Sequence, residues 1–302
     1  MKIENFSDVK SLFFDNLGIR QTILKNTFWL GVADGVSKLL KLLLLIYVAR
    51  VLGVTEYGKF SFALAFVGLF LVFASLGLPR IIVRELSQGK EKEQDFSSIL
   101  SLKIFLSLGT LALILAGSFL VSPDLQVRKV IWIVALYSLI DNFATFLNFF
   151  FHARQRMEYE TVSKIVRAAL LVGLGFLVIF NFPSLENLSY GYLFAGFAGL
   201  IFILFFFHFK VYKLTLSFNK SVWQRYLIMS WPIALAGVFG TIYGQIDSVI
   251  MGYLQQITQT GWYNAAYRIV GGALIPMGLI STSFYPVLSR TFRESKEKLQ
   301  KV

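Results

Sequence analysis

Residues 99–121 read ILSLKIFLSLGTLALILAGSFLV, and Lys103 is the one charged side chain among them. The hydrocarbon core of a bilayer takes about 20 helical residues to cross. Backbone amides find no water there, so a crossing segment must satisfy its own hydrogen bonds as a helix. This stretch therefore predicts a transmembrane helix.

Further apolar stretches of similar length lie on both sides of this one. Hydrophobic residues make up 56% of the 302-residue chain, more than a water-soluble domain of this size can bury. We expect an all-α, polytopic membrane protein with about eight transmembrane helices. The predicted spans are 27–49, 60–79, 99–121, 130–151, 161–182, 187–208, 226–253 and 261–288.

The lysines and arginines between the spans predict the orientation of the chain. They concentrate before the first span, in every second gap and after the last span, while the other gaps hold few or none. The positive-inside rule then predicts that both termini lie in the cytoplasm. The expected location is the cell (inner or cytoplasmic) membrane, which the protein crosses several times. The net charge of +12 is dispersed over five cytoplasmic segments. Membrane lipids with anionic headgroups, and not a nucleic acid, are therefore the expected partners.

No sequence pattern indicates an enzyme. The chain has no cysteine, which excludes a thiolate nucleophile and a cysteine-ligated metal. It contains neither a phosphate-binding G-x-x-x-x-G-K-[ST] loop nor an H-E-x-x-H zinc sequence. The segments between the spans are too short for a separate catalytic domain. We expect no catalytic residue, no cofactor and no metal ion.

A short internal repeat predicts a duplicated architecture. The pattern G-x-[FY]-x-x-A occurs at 58–63 and again at 261–266, in both cases where the chain enters a helix on the predicted external side. Transporters are commonly built from such repeats, here with parallel topology. If one unit has six helices, the chain holds one unit and the first two helices of an incomplete second one. The expected divisions are an interfacial segment at 1–26, a six-helix lobe at 27–210 and the start of a second lobe at 220–302.

Three segments resemble a known family. They are 49–60 (ARVLGVTEYGKF), Gly77–Arg80 with the Arg84–Glu85 pair that follows, and 246–268. They are similar to the first external turn, the end of the second helix and the start of the second lobe of the Wzx-like oligosaccharide flippases. These polysaccharide biosynthesis proteins belong to the multidrug/oligosaccharidyl-lipid/polysaccharide exporter superfamily. Members have twelve or more helices in two lobes around a central cavity, so eight spans are fewer than the resemblance implies.

The resemblance also implies a function. It suggests a transporter that moves polyprenyl-diphosphate-linked oligosaccharides from the cytoplasmic to the external leaflet by alternating access. Its partners would be the lipid-linked oligosaccharide, a polysaccharide polymerase and glycosyltransferases. The alternatives are a cation-coupled multidrug exporter of the same superfamily and a non-functional truncated fragment. A membrane glycosyltransferase would need a larger external loop than this sequence has.

Charged residues inside the first span are the first candidates for a binding site, because a charge in hydrocarbon is costly unless it faces water or a partner. Asp34, Lys38 and Lys41 are spaced i, i+4 and i+7 and share one helix face. Asp34 and Lys38 can pair directly. The lysines could hold a diphosphate while Asp34 binds a proton or sodium ion. A structural ion pair between helices is the alternative.

Other candidates lie elsewhere along the chain, each with a structural alternative. Asp141 and Asn142 could face the cavity or bond to a neighbouring helix. Asp247 and Arg268 could pair across an external hairpin, for structure or for ion coupling. Lys103 is expected to extend toward the cytoplasmic interface. The cytoplasmic arginines could bind a diphosphate in bidentate fashion or merely set the topology; they are Arg80, Arg84 and Arg154.

Overall fold

The computed structural model describes residues 14–15, 19–87, 95–210 and 216–273. Within these ranges the chain forms helices and no strands. Six of the helices are long and apolar enough to cross a membrane, which confirms an all-α, multi-pass membrane protein. The helices are α1 (Ile19–Ser75), α2 (Leu78–Leu86), α3 (Phe96–Val121), α4 (Leu125–Ala153), α5 (Met157–Asn181), α6 (Leu185–Lys210), α7 (Lys220–Tyr253) and α8 (Ile257–Ala273).

The first predicted span and most of the second, which ends in α2, lie in the single element α1, which Gly53 interrupts. Gly53 has φ 79° and ψ 168°, a conformation that glycine adopts easily and residues with a Cβ rarely do. On one side of it, α1 runs in the same direction as α5. Lys25 pairs with Glu158 near the start of α5, and the Tyr47 ring packs on Phe180 near its end.

On the other side of Gly53, α1 runs in the same direction as α4. Lys59 bonds to Gln126 near the start of α4, and Ser75 bonds to Asn142 further along it. A short turn at 154–156 joins α4 to α5, so these two helices are antiparallel. The two halves of α1 must then be antiparallel as well, and the chain reverses at Gly53 as predicted.

The turns lie at two ends of the helix bundle. The Gly53 end holds Gly53 and the turns at 122–124, 182–184 and 254–256; the Arg154 end holds the breaks at 76–77 and 154–156. The last predicted span, 261–288, continues past Ala273 and so lies partly outside the described residues, as does most of the 1–26 segment. The number of eight spans and the division into two lobes therefore stay predictions.

Two clusters of buried side chains hold the helices together. The cluster nearer the Gly53 end joins both halves of α1 to α4, α5 and α6, and includes Leu44, Phe60 and Val134. The cluster nearer the Arg154 end includes Phe150 and Phe207, whose rings meet edge to face at 5.6 Å. Lipid tails are as apolar as these side chains, so the hydrophobic effect does not drive membrane helices together. Their association depends instead on close packing of this kind.

Candidate functional site

A cavity of about 220 Å³ lies among α1, α4, α5 and α6. Four of the candidates from the sequence line it together. Asp34, Lys38 and Lys41 enter from α1, and Asp141 enters from α4. Ala195, Gly196 and Gly199 form the α6 wall. We call this space the acid–base cavity.

Two further cations line the acid–base cavity and were not among the candidates. Lys164 and Arg167 lie in the first turns of α5. Both residues lie within the predicted span 161–182, and α5, which begins at Met157, includes them. Their spacing of three residues, with Glu160 one turn earlier, places all three on one face of a helix. That periodicity is the signal that could have identified them.

Lys164 is the partner of Asp34. Its ammonium lies 3.0 Å from an Asp34 carboxylate oxygen and 2.7 Å from Glu160. The Glu160 carboxylate, which is buried, also contacts the His152 imidazole at the end of α4. The predicted local pair of Asp34 with Lys38 is therefore replaced by a pair between helices. The reason is that α5 packs directly against the first half of α1, as the bond from Ser37 to the Lys164 carbonyl shows.

Arg167 is the partner of Asp141. Its guanidinium lies 2.6 Å from an Asp141 carboxylate oxygen and 2.9 Å from the Thr145 hydroxyl. The neighbouring α6 residue, Gly199, lies so close that an added Cβ would be 2.8 Å from the Arg167 side chain. This pair joins α4 to α5 at the cavity wall.

Asn142 does not line the acid–base cavity, unlike its neighbour Asp141. Its side-chain oxygen accepts hydrogen bonds from Ser75 and from Lys103. Lys103 is fully buried and also donates to the Ala74 carbonyl at 2.5 Å. The expectation that Lys103 extends to the interface is therefore wrong. The physical reason is that α1 ends at Ser75, where its last carbonyls lack helical partners and attract a cation.

A second cavity, of about 240 Å³, opens between the first half of α1 and α8. Lys38 and Lys41 line it from one side, and Tyr267 and Arg268 line it from the other. The two lysines thus face both cavities. Leu42 and Leu45 give part of this second space an apolar wall. We call it the interhelix cavity.

Asp247 and Arg268 do not form the predicted pair in the structure. Asp247 accepts a hydrogen bond from the Tyr263 hydroxyl at 2.7 Å instead. Arg268 lies more than one helical turn after Tyr263 on α8. It faces Lys38 and Lys41 across the interhelix cavity. The position of Arg268 on α8 explains the difference, because residues 263 and 268 cannot both face the end of α7.

The remaining arginine candidates lie at the Arg154 end, outside both cavity linings. Arg80 is exposed on α2. Arg84 forms an ion pair with Glu85 at 3.1 Å and contacts the Met229 sulfur. Arg154 is exposed in the turn after α4. Their roles in binding stay predictions.

The balance of charge favours an anion in these cavities. Both carboxylates of the acid–base cavity, Asp34 and Asp141, are paired with cations of α5. Among the described residues, Lys38, Lys41 and Arg268 have no carboxylate within ion-pair distance. These three cations, at membrane depth, leave a net positive field that a bound anion would neutralise.

The sequence profile of the polysaccharide biosynthesis protein family matches residues 23–292. The chain belongs to this family. It is 24% identical to a putative O-antigen transporter of Escherichia coli over 89% of the chain and 66% of that protein. It is also 24% identical to the capsular polysaccharide biosynthesis protein CapF of Staphylococcus aureus, over 91% of the chain and 68% of that protein. A probable low-salt glycan biosynthesis flippase of Haloferax volcanii is 22% identical, over 91% of the chain and 57% of that protein.

Solved structures show that this member of the family has a transporter fold. The MATE multidrug transporter DinF-BH superposes with a TM-score of 0.70 at 16% identity, over 93% of the chain and 68% of that protein. A MOP superfamily transporter from Pyrococcus furiosus superposes with a TM-score of 0.57 at 16% identity, over 96% of the chain and 68% of that protein. The chain thus spans about two thirds of the length of the proteins that it matches.

Proposed function

We propose that this family member moves a polyprenyl-diphosphate-linked oligosaccharide across the membrane for the synthesis of a cell-surface polysaccharide. The observation that carries the proposal is the group of cations around the two cavities, Lys38, Lys41 and Arg268, which no described carboxylate neutralises. The relatives named as an O-antigen transporter and as a glycan flippase support the same function. A membrane transporter, and not an enzyme, fits both the family and the fold.

The physical task matches the two cavities. A diphosphate in a low-dielectric site needs cations close by, and charge-assisted hydrogen bonds from lysine and arginine supply them. Lys38, Lys41 and Arg268 lie around the interhelix cavity and can take this role. The acid–base cavity adjoins it and offers donors and acceptors, among them Asp141 and Thr145, for sugar hydroxyls. The lipid tail can stay in the bilayer beside apolar helix faces.

The proposed topology places the protein in the cytoplasmic (inner) membrane with both termini in the cytoplasm. The Gly53 end is then external and the Arg154 end cytoplasmic. Arg80, Arg84 and Arg154 lie where a diphosphate would arrive from the cytoplasm. The enzymes that make and consume the cargo, glycosyltransferases and a polysaccharide polymerase, are the proposed functional partners.

Cation-coupled multidrug export is the second candidate. The likeness to the fold of the multidrug transporter DinF-BH and the presence of Asp34 and Asp141 in a cavity favour it. The ion pairs of these carboxylates weigh against it. With Lys164 and Arg167 in place, neither carboxylate is left to attract a cationic drug. An anionic cargo is therefore the better match.

The test is glycan export in cells that lack their own flippase. Lys41→Ala removes a cavity cation, whereas Lys41→Arg retains the charge. Loss of a charge-assisted contact worth about 1.5–3 kcal/mol should slow export by about tenfold to a hundredfold in the alanine variant. The arginine variant should retain most of the parental rate. Lys129→Ala, an exposed lysine at the Gly53 end, is the matched control. Export at the parental rate by Lys41→Ala would contradict the proposal.

A further inference from the structure

The connection between α6 and α7 is held against the start of α3 by hydrogen bonds. Ser217 donates its backbone N–H to the Ser97 carbonyl at 3.4 Å, and its own carbonyl accepts from the Ser101 hydroxyl at 2.5 Å. The indole N–H of Trp223, in the first turn of α7, bonds to the Ser98 carbonyl at 2.8 Å. The described part of the connection therefore has a fixed position at the Arg154 end of the bundle.

Three aromatic rings lie together beside these hydrogen bonds. The Trp223 ring is 5.6 Å from the Phe105 ring on α3 and 6.1 Å from the Phe218 ring of the connection. Phe105 and Phe218 expose 62% and 78% of their surfaces, and the nearby Leu216 exposes 56%. We call Phe105, Phe218 and Trp223 the aromatic patch. An exposed apolar surface of this kind indicates contact with a membrane or with another protein.

The orientation of Trp223 favours a membrane. Its N–H bonds to Ser98 in the first turn of α3, while its ring contacts Phe105. Seven residues of helix separate Ser98 from Phe105, which is about 10 Å along the axis. Tryptophan at a membrane–water boundary takes this position, with the N–H toward the headgroups and the ring toward the acyl chains. The aromatic patch therefore lies at the depth where headgroups and acyl chains meet.

The sequence around the aromatic patch is basic. Residues 210–225 contain no carboxylate and four cations, which are Lys210, Lys213, Lys220 and Arg225. Lys220 is exposed and lies three positions before Trp223, so the two share one side of α7. The Arg225 side chain is 52% exposed, although its guanidinium contacts the Asp95 carboxylate. A group of four cations directly beside a span attracts anionic lipid headgroups.

We propose that the aromatic patch and Lys220 bind one anionic phospholipid of the cytoplasmic leaflet. The lipid phosphate contacts the Lys220 ammonium through a charge-assisted hydrogen bond. One acyl chain lies along Phe105 and Leu108, which is one turn further along α3 and 61% exposed. Charge and depth both match a phospholipid, whereas a water-soluble partner would have to reach below the headgroups to cover Phe105.

The proposed lipid has a structural role that is independent of the cargo. The connection between α6 and α7 joins the two predicted lobes. A lipid that contacts Phe218 and Trp223 on one side and Phe105 on the other adds to the hydrogen bonds that hold this connection on α3. Binding of the lipid should therefore stabilise the contact between the first predicted lobe and the start of the second.

Quenching of Trp223 fluorescence by brominated lipids tests the site without any cargo. The other four tryptophans, Trp29, Trp132, Trp231 and Trp262, are replaced with phenylalanine, so that Trp223 is the only reporter. The protein is placed in phosphatidylcholine nanodiscs that contain a minor fraction of brominated phosphatidylglycerol or of brominated phosphatidylcholine. The anionic lipid should occupy the site about fivefold more strongly, as one cation near the surface implies. Weak quenching by both lipids would show that protein covers Trp223 and would overturn the proposal.

Two substitutions separate a specific site from diffuse attraction. Lys220→Gln should remove the preference for phosphatidylglycerol, whereas Lys220→Arg should retain it. Lys129→Gln removes one exposed cation at the Gly53 end and is the matched control, which should quench as the parent does. Equal preference for phosphatidylglycerol in Lys220→Gln and Lys129→Gln would show that no single cation selects the lipid, and would overturn the site.

Native mass spectrometry of the chain with all its tryptophans tests the same site if the single-tryptophan protein does not fold. The parent should retain one phosphatidylglycerol more often than Lys220→Gln or Phe218→Ser does. Equal retention by all three proteins would overturn the proposal. Displacement of the phosphatidylglycerol by an equal amount of a polyprenyl-diphosphate sugar would assign the aromatic patch to the cargo and also overturn it. Export of glycan enters none of these measurements, so the flippase function and the lipid site can fail separately.

Discussion

Arg167 on α5 and Asp141 on α4 form an ion pair at 2.6 Å on the wall of the acid–base cavity. Both side chains are largely withdrawn from solvent, with 10% and 32% of their surfaces exposed. The pair fixes the contact between two antiparallel helices and removes the negative charge of Asp141 from the cavity. Its two roles, packing and charge balance, can be measured separately.

We expect Asp141→Asn and Arg167→Gln each to destabilise the protein, because each leaves one charge without its partner, and Asp141→Asn to do so more, since the Arg167 side chain is the more buried of the two. The cost of an unpaired buried polar or charged group is about 1–3 kcal/mol. The double variant should recover part of this loss, since it removes both charges together. Thermal unfolding of the detergent-solubilised protein, arranged as a double-mutant cycle, measures the coupling. Strictly additive losses would show that the two side chains do not stabilise each other.

The sequence predicted much of the fold, because the apolar spans and the charges between them follow from the bilayer itself. It also offered Asp34, Lys38, Lys41 and Asp141 as candidates, and these four residues line one cavity in the structure; their role in binding stays a prediction. Helix periodicity was sufficient to predict that the three candidates on α1 share one helix face. What the sequence could not provide was the partner of each charge.

Lys164 shows why the partners could not be predicted. Its separation from Asp34 is 130 residues, so their contact depends on how α1 packs against α5. Local spacing pointed instead to Lys38 as the partner of Asp34. A similar limit applies to Lys103, whose burial depends on where α1 ends. Pairing between helices is decided by tertiary packing, and a single sequence carries no direct signal of it.

Lys103 is expected to be a structural residue. Replacing it with methionine keeps the length of the side chain but removes the donor to the Ala74 carbonyl and to Asn142. We expect Lys103→Met to lose about 1–3 kcal/mol of stability, because the buried Ala74 carbonyl would lose this donor and Asn142 would keep only the hydrogen bond from Ser75. Lys129→Met, at an exposed position, should unfold at the parental temperature. An unchanged unfolding temperature for Lys103→Met would contradict this role.

The proposed topology predicts where reporter fusions are active. Fusions after Lys129 and after Thr258 should lie outside the cell, since both positions are at the Gly53 end. Fusions after Lys92 and after Lys220 should be cytoplasmic, in agreement with the distribution of lysine and arginine. Alkaline phosphatase, active outside, and green fluorescent protein, fluorescent inside, give opposite readouts at each site. Phosphatase activity at Lys220 would place the start of α7 outside the cell and contradict the proposed topology.

Arg268 is the one cation of α8 that lines the interhelix cavity, opposite Lys38 and Lys41. A diphosphate between them would contact both α1 and α8. We therefore expect Arg268→Gln to weaken binding of a fluorescent polyprenyl-diphosphate sugar by about tenfold or more, as the loss of a charge-assisted bond implies. Arg268→Lys should bind with intermediate affinity, because an ammonium keeps the charge but cannot form a bidentate contact.

Two comparisons make the Arg268 measurement decisive. Lys129→Gln removes one cation far from the cavity and should bind the probe as the parent does, which corrects for the change in net charge. A polyprenyl monophosphate carries less charge, so its affinity should fall less when Arg268 is replaced. If the Arg268→Gln and Lys129→Gln variants bind the diphosphate probe equally well, Arg268 does not contact the anion. The cationic site would then be limited to Lys38 and Lys41 on α1.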